Sequence, residues 1–183
     1  IKSYMMGEAP PSFDLLFWNG DGSNLPGKMA VQYLRSLCQD NQFAKNDLKM
    51  FEETIGAADI ETPIFAVSCE TDHIASWKDS FRGLQNFSSK EKTFILSEAG
   101  HVAGIVNAPG SGKYGYYFGN GEFEDAEQWK NGAEFEKESW WPFWERWLRE
   151  KSKDLVEARI PKAEFDLDLG DAPGYYVHQR PRG

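Results

Sequence analysis

The sequence predicts an α/β fold with a mostly parallel sheet, and three stretches carry that expectation. Pro63-Ile-Phe-Ala-Val-Ser-Cys69 is a compact apolar run with β-branched residues after a proline, the pattern of a buried strand. Trp77, Phe81, Leu84 and Phe87 recur at helical intervals, which predicts a helix over residues 77–87. Thr93-Phe-Ile-Leu96 is a second buried strand. Strand, helix and strand in units of this length make a βαβ unit, whose strands lie parallel.

The remaining elements follow in order. Residues 13–18 (Phe-Asp-Leu-Leu-Phe-Trp) are short, apolar and aromatic, and the Gly, Asn and Asp content of residues 19–24 makes a turn. From residue 28 to 41 the spacing of Val31, Leu34, Leu37 and Cys38 is helical, with Pro26-Gly27 at its start. Residues 43–60 are mixed and predict an irregular excursion anchored by Leu48, Phe51, Ile55 and Ile60. Residues 110–125 are glycine- and aromatic-rich loop, and residues 122–138 are acidic enough to form a solvated surface. A last helix is expected over 142–153, with Pro142 in its tolerant first turn. Trp140, Trp141, Phe143, Trp144 and Trp147 load that helix with aromatic area for packing on the sheet rather than for stacking a polymer. The tail over 154–183 is polar and extended, with a turn at Pro173-Gly174.

With 183 residues, 40% of them hydrophobic, the chain is long enough for one globular core. Twenty basic residues against 29 acidic ones give a net charge of −9, which argues against a nucleic-acid binder. A local basic pocket for a phosphorylated ligand is still compatible with that balance. No apolar run approaches the roughly 20 residues that span a bilayer, and no signal pattern opens the chain, so a cytoplasmic setting is expected. Two cysteines make no disulfide framework, and His73, His101 and His178 show no zinc spacing. Cys38 and Cys69 are both expected as small buried hydrophobes. The chain opens on Ile1, not Met, and runs directly into loop-like sequence, which suggests a piece of something longer.

In parallel α/β sheets, chemistry sits beyond the carboxyl ends of the strands. Two loops qualify: Glu70-Thr-Asp-His-Ile74 after the first strand, and Ser97-Glu-Ala-Gly-His-Val-Ala-Gly104 after the second. An acid at one strand end and a histidine at the next form the back half of a nucleophile–acid–histidine triad, as in an α/β-hydrolase. Histidine deprotonates a Ser or Cys nucleophile, while the carboxylate fixes its tautomer and stabilises the imidazolium. The candidates are Asp72 and His101; His73 is expected to make a structural hydrogen bond instead. Ahead of Asp72 there is no Gly-x-Ser-x-Gly or Gly-x-Cys-x-Gly. Cys38 lacks flanking glycines, and Gly110-Ser111-Gly112 follows the histidine, in the wrong order. The nucleophile is therefore read as absent from these residues.

At this point the sequence resembles the poly(3-hydroxyalkanoate) synthases, especially the class I short-chain type. The resemblance runs nearly end to end, through Pro11-Ser-Phe-Asp-Leu-Leu-Phe-Trp-Asn-Gly-Asp21, Asn24-Leu-Pro-Gly27, Tyr33-Leu-Arg35, Asp72-His-Ile-Ala-Ser-Trp77 and Gly100-His-Val-Ala-Gly-Ile-Val-Asn107. Lys113-Tyr-Gly-Tyr116, Ser139-Trp-Trp-Pro-Phe-Trp144 and Pro173-Gly-Tyr-Tyr-Val177 complete it. Thr71 stands for a usual acid, Ser76 for a usual proline, and Ser97-Glu98-Ala99 departs from the pattern before Gly100.

The resemblance implies the C-terminal portion of an α/β-hydrolase-like catalytic domain that polymerises (R)-3-hydroxyacyl-CoA into polyester with CoA release. It implies no cofactor, the CoA thioester being substrate. His101 would be the general base for an upstream cysteine, and Asp72 the acid that orients His101 or helps activate the substrate's 3-hydroxyl. It further implies a homodimer through the catalytic domain, with Trp18 an interface candidate, at cytoplasmic polyester granules. On this reading residues 1–60 are a cap-adjacent segment with connecting helices, 61–153 carry the core with the acid and histidine, and 154–183 are the tail. Two other readings stay open: a non-catalytic α/β interaction or granule-associated module, and a serine esterase or lipase relative with its nucleophile upstream.

Overall fold

The computed structural model describes residues 5–7, 20, 22, 24–158 and 178–179. Trp18, the aromatic stretch 13–18 and most of the tail lie outside the described residues. The chain divides into two compact units, one of Ile1–Val31 with Glu157–Gly183 and one of Gln32–Val156. The second unit holds the sheet and both candidate residues.

Gly27–Gln32 is α-helical (α1), but Tyr33–Gln39 winds as a wider π-type helix, with Asp40 N–H donating five residues back to the Arg35 carbonyl. The single helix expected over 28–41 is thus α-helical only in its first part. Cys38, expected to be buried, is exposed, as are Val31, Leu34 and Leu37, because neither helical stretch buries a face among the described residues. The excursion over 43–60 contains a hairpin, β1 (Leu48–Met50) against β2 (Glu53–Ile55). Phe51 and Glu52 turn it, both with positive φ, as a two-residue hairpin turn of the primed kind requires.

Four strands then form one sheet in the order β3 (Ile64–Cys69), β4 (Lys92–Ser97), β5 (Tyr116–Asn120) and β6 (Glu134–Glu136). β3 and β4 pair in parallel from Ile64↔Lys92 to Cys69↔Ser97, and α2 (Trp77–Leu84) crosses between them. This is the expected βαβ unit, with the helix stopping at Leu84 and Phe87 packing beyond its end.

The expectation of a mostly parallel sheet is corrected: among the described residues the sheet is mixed. β4–β5 and β5–β6 are antiparallel. The segment leaving β4 turns back without a crossover helix and re-enters the sheet at the same end, Tyr116 opposite Ser97, so the next strand must run the other way. β5 falls within the stretch expected as loop. The acidic stretch 122–138 keeps its carboxylates on the surface, as expected, while folding as α3 (Ala126–Gly132) and β6 and burying Trp129.

Alternation along β4 sends Phe94 and Leu96 to one face and Ile95 to the other. On the first face they join Trp77, Phe81 and Leu84 of α2 and Trp129 of α3. Phe81 and Trp129 meet the Phe94 ring edge-on, with centroids 5.0 and 4.9 Å apart. On the second face Ile95 and Tyr116 pack with Trp140 and with Phe143 of α4 (Trp141–Lys151). Each of these buried side chains contributes about 1.5–3 kcal/mol. The unit is therefore α/β, with helices on both faces of a sheet and the aromatic α4 seated on it as its composition predicts. No helix among the described residues is long and apolar enough to cross a membrane.

Candidate active site

The parallel ladder continues past the ends of β3 and β4. Glu70 N–H donates to the Ser97 carbonyl at 2.9 Å, and Thr71 N–H to the Ala99 carbonyl at 3.1 Å. This stitching carries the two loops forward side by side. Ala99 sits at φ +94°, a conformation that costs a non-glycine residue about 1–3 kcal/mol, and the Thr71 bond helps hold it there.

Asp72 and His101, 29 residues apart in sequence, meet: Nδ1 of His101 lies 2.8 Å from Oδ2 of Asp72. The other carboxylate oxygen, Oδ1, accepts the backbone N–H groups of Ile74 (2.8 Å) and Ala75 (3.0 Å). The Asp72 side chain is 8% exposed and that of His101 is 47% exposed. The Ala75 N–H first, then His101, with Ile74 adding to them, hold the Asp72 carboxyl down at about 2. An ionised carboxylate only accepts, so Nδ1 of a neutral His101 must carry the proton, and Nε2 presents its lone pair. Nε2 has no hydrogen-bond partner among the described residues. The pair is thus arranged to accept a proton at Nε2 while the adjacent carboxylate stabilises the imidazolium.

His101 rides on a single helical turn, in which Gly104 N–H donates to the Gly100 carbonyl and Val106 N–H to the Val102 carbonyl. Gly104 is required by close approach: a Cβ there would lie 2.6 Å from Cys69 Sγ and 3.2 Å from Ser97 Oγ. Gly104→Ala is expected to destabilise the protein by about 1–3 kcal/mol, read as a lowered midpoint in denaturant. An unchanged midpoint would show that this packing is not tight.

Groups that sequence reasoning did not single out support the two loops. Glu98 accepts from Gly115 N–H at 2.8 Å and from Lys137 Nζ at 2.7 Å, and Lys137 first, then the Gly115 bond, lowers its pKa. Glu70, two residues before Asp72, pairs with Lys130 of α3, whose ammonium also lies 5.0 Å from the Tyr117 ring centroid. Both lysines arrive through β5, α3 and β6, the elements with the faintest sequence signal. His73 is exposed and makes no hydrogen bond among the described residues, contrary to expectation. Cys69 is buried, and burial first, then the Asp72 charge, pushes its thiol up. That is the opposite of an activated nucleophile.

An α/β unit with a carboxylate-oriented imidazole across neighbouring strand ends is able to take a proton from a nucleophile. No protein-family model matches the chain. It is 36% identical over 181 residues to the poly(3-hydroxyalkanoate) polymerase subunit PhaC of Rhizobium meliloti (strain 1021), a match covering 98% of this chain and 29% of that protein. With the poly(3-hydroxyalkanoate) polymerase of Methylorubrum extorquens it shares 35% identity over 184 residues, 98% of this chain and 30% of that protein. The corresponding subunit of Cupriavidus necator is 32% identical over 180 residues, 97% of this chain and 30% of that protein. The chain is similar to poly(3-hydroxyalkanoate) polymerases over nearly all of its own residues, and it spans about 30% of the length of the curated relatives it matches.

Proposed function

We propose that the chain is the C-terminal part of the catalytic domain of a class I poly(3-hydroxyalkanoate) synthase, α/β-hydrolase-like, and that it supplies the base and acid of a Cys-His-Asp triad. The observation that carries this is the 2.8 Å contact between Asp72 Oδ2 and His101 Nδ1, in a chain matching polymerases over 98% of its length. The nucleophile is a cysteine elsewhere in the enzyme. Its S–H proton passes to Nε2 of His101 as sulfur adds to the carbonyl of (R)-3-hydroxyacyl-CoA. The carbon–sulfur bond to CoA then breaks, and the departing thiolate takes the proton from Nε2. The next 3-hydroxyl loses its proton to Nε2 as its oxygen attacks the acyl-cysteine. An ester forms and the cysteine thiol is restored.

Asp72 serves this cycle by orienting His101 rather than by activating the 3-hydroxyl. Both its oxygens are already engaged, and a carboxylate held at about 2 is a poor base. The reaction needs no cofactor, the enzyme works as a homodimer, and its place is the surface of cytoplasmic polyester granules.

The test is CoA release from (R)-3-hydroxybutyryl-CoA by the polymerase that carries this region, in wild type and in His101 variants. The 183-residue chain alone is expected to release none above background, because it holds neither Gly-x-Cys-x-Gly nor Gly-x-Ser-x-Gly. Release above background would mean that the nucleophile lies within these residues.

A further inference from the structure

A helical segment as short as residues 100–106 has no stability of its own, since nucleation costs more than its few hydrogen bonds return. The turn bearing His101 must therefore be held from outside, and its unused carbonyls at the C-terminal end are the groups available for this. Two of them are taken by consecutive indoles at the start of α4. Trp140 Nε1 donates to the Gly104 carbonyl at 2.9 Å, in a buried bond. Trp141 Nε1 donates to the Ile105 carbonyl, also at 2.9 Å. Neighbouring indoles on the same helix do not share this task. Trp147 Nε1 is buried without a partner, and Trp144, whose ring lies 6.0 Å from that of Trp140, is exposed.

We infer that Trp140 and Trp141 are positioning residues for His101: their two indole N–H groups fix the far end of its turn and so hold Nδ1 against Asp72. Gly104 links the indoles to the strand that leads to Asp72. It receives the Trp140 bond on its carbonyl, and its bare α-carbon rests on Cys69 at the end of β3, three residues before Asp72. The indoles thus press the histidine turn onto the strand that delivers the carboxylate. Their relevance to turnover rests on His101 being the base proposed above, but their effect on the ring is measurable without turnover.

The experiment is long-range proton–nitrogen NMR of the folded chain at a pH where the imidazole is neutral. Only three histidines contribute, and His101→Ala assigns the resonance of interest. In the wild type the Asp72 bond holds the His101 proton on Nδ1. Trp140→Phe combined with Trp141→Phe keeps the rings and deletes both donors. The ratio of Nδ1–H to Nε2–H tautomer at His101 is expected to fall roughly tenfold, the scale of a lost buried hydrogen bond. Trp144→Phe is expected to leave the ratio unchanged. Should the double variant fail to unfold cooperatively, Trp141→Phe alone, at a half-buried site, is expected to give a severalfold fall. An unchanged ratio in a folded variant overturns the inference, as does an equal fall in Trp144→Phe, which would make the effect one of packing. A wild-type ring protonated mainly on Nε2 would overturn the pairing these indoles are said to maintain. Failure of the base assignment would instead show as retained CoA release in His101→Ala, a quantity this measurement does not use.

Discussion

His101→Ala, made in the polymerase that carries this region, is expected to lower CoA release from (R)-3-hydroxybutyryl-CoA by about 10³-fold or more. A positioned general base contributes roughly 10²–10⁴ in rate, and in the proposed cycle His101 acts twice, on the thiol and on the incoming hydroxyl. The loss should be chemical rather than structural. The His101 side chain is 47% exposed, and its one hydrogen bond is to a carboxylate that keeps two backbone donors without it. The variant should therefore retain the cooperative unfolding of the wild type. It should also fail to accumulate acyl-enzyme, because the cysteine proton has no acceptor. His73→Ala is the matched comparison, removing an exposed imidazole with no hydrogen bond among the described residues, and wild-type turnover is expected there. Wild-type turnover in His101→Ala would remove the residue from the chemistry and leave the family match as the only support for the proposed activity.

Asp72 and His101 were legible in the sequence because each depends on local signals. An apolar strand ends, a turn follows, and the polar residue in that turn faces the region beyond the sheet. The same locality made β3, α2 and β4 legible, since Trp77, Phe81 and Leu84 lie on one face of a helix bracketed by two β-branched runs. β5 was hidden for a physical reason. Tyr116 and Phe118 face one layer of aromatic side chains and Tyr117 the other, so no polar–apolar alternation marks the strand. Its strand character comes from pairing with β4, a relation between residues some twenty positions apart that a local pattern does not carry. α3 is a seven-residue helix with one buried side chain, announced only by Asp125 accepting from Gln128 N–H at its start. With these elements unseen, the Lys130–Glu70 and Lys137–Glu98 contacts that brace the two loops had no sequence signal at all. The local half of the site was therefore readable and its non-local support was not.

The second large effect is expected from Asp72→Asn, at about 10²–10⁴-fold in the same assay, by a route that leaves the imidazole in place. Asparagine has the shape of aspartate, and its carbonyl oxygen still accepts from Ile74 and Ala75. The atom then facing His101 is an amide nitrogen, which only donates. To meet it Nδ1 must be the acceptor, so the ring proton moves to Nε2, the position that receives the proton in the proposed cycle. The base is blocked by its own tautomer, and the imidazolium loses its counter-charge. Acid stability separates this electrostatic loss from a folding defect. The Asp72 carboxyl is held at about 2, below its ordinary 3.8, so the folded state favours its charged form. A depressed carboxylate contributes stability above the ordinary value, and the contribution is lost as pH falls through the folded one. The gap in melting temperature between wild type and Asp72→Asn should therefore be full above about pH 4 and close towards pH 2. A gap that persists unchanged to pH 2 would trace the variant's defect to something other than the charge. An unchanged rate in a folded Asp72→Asn enzyme would reduce the carboxylate to the cap of its own turn.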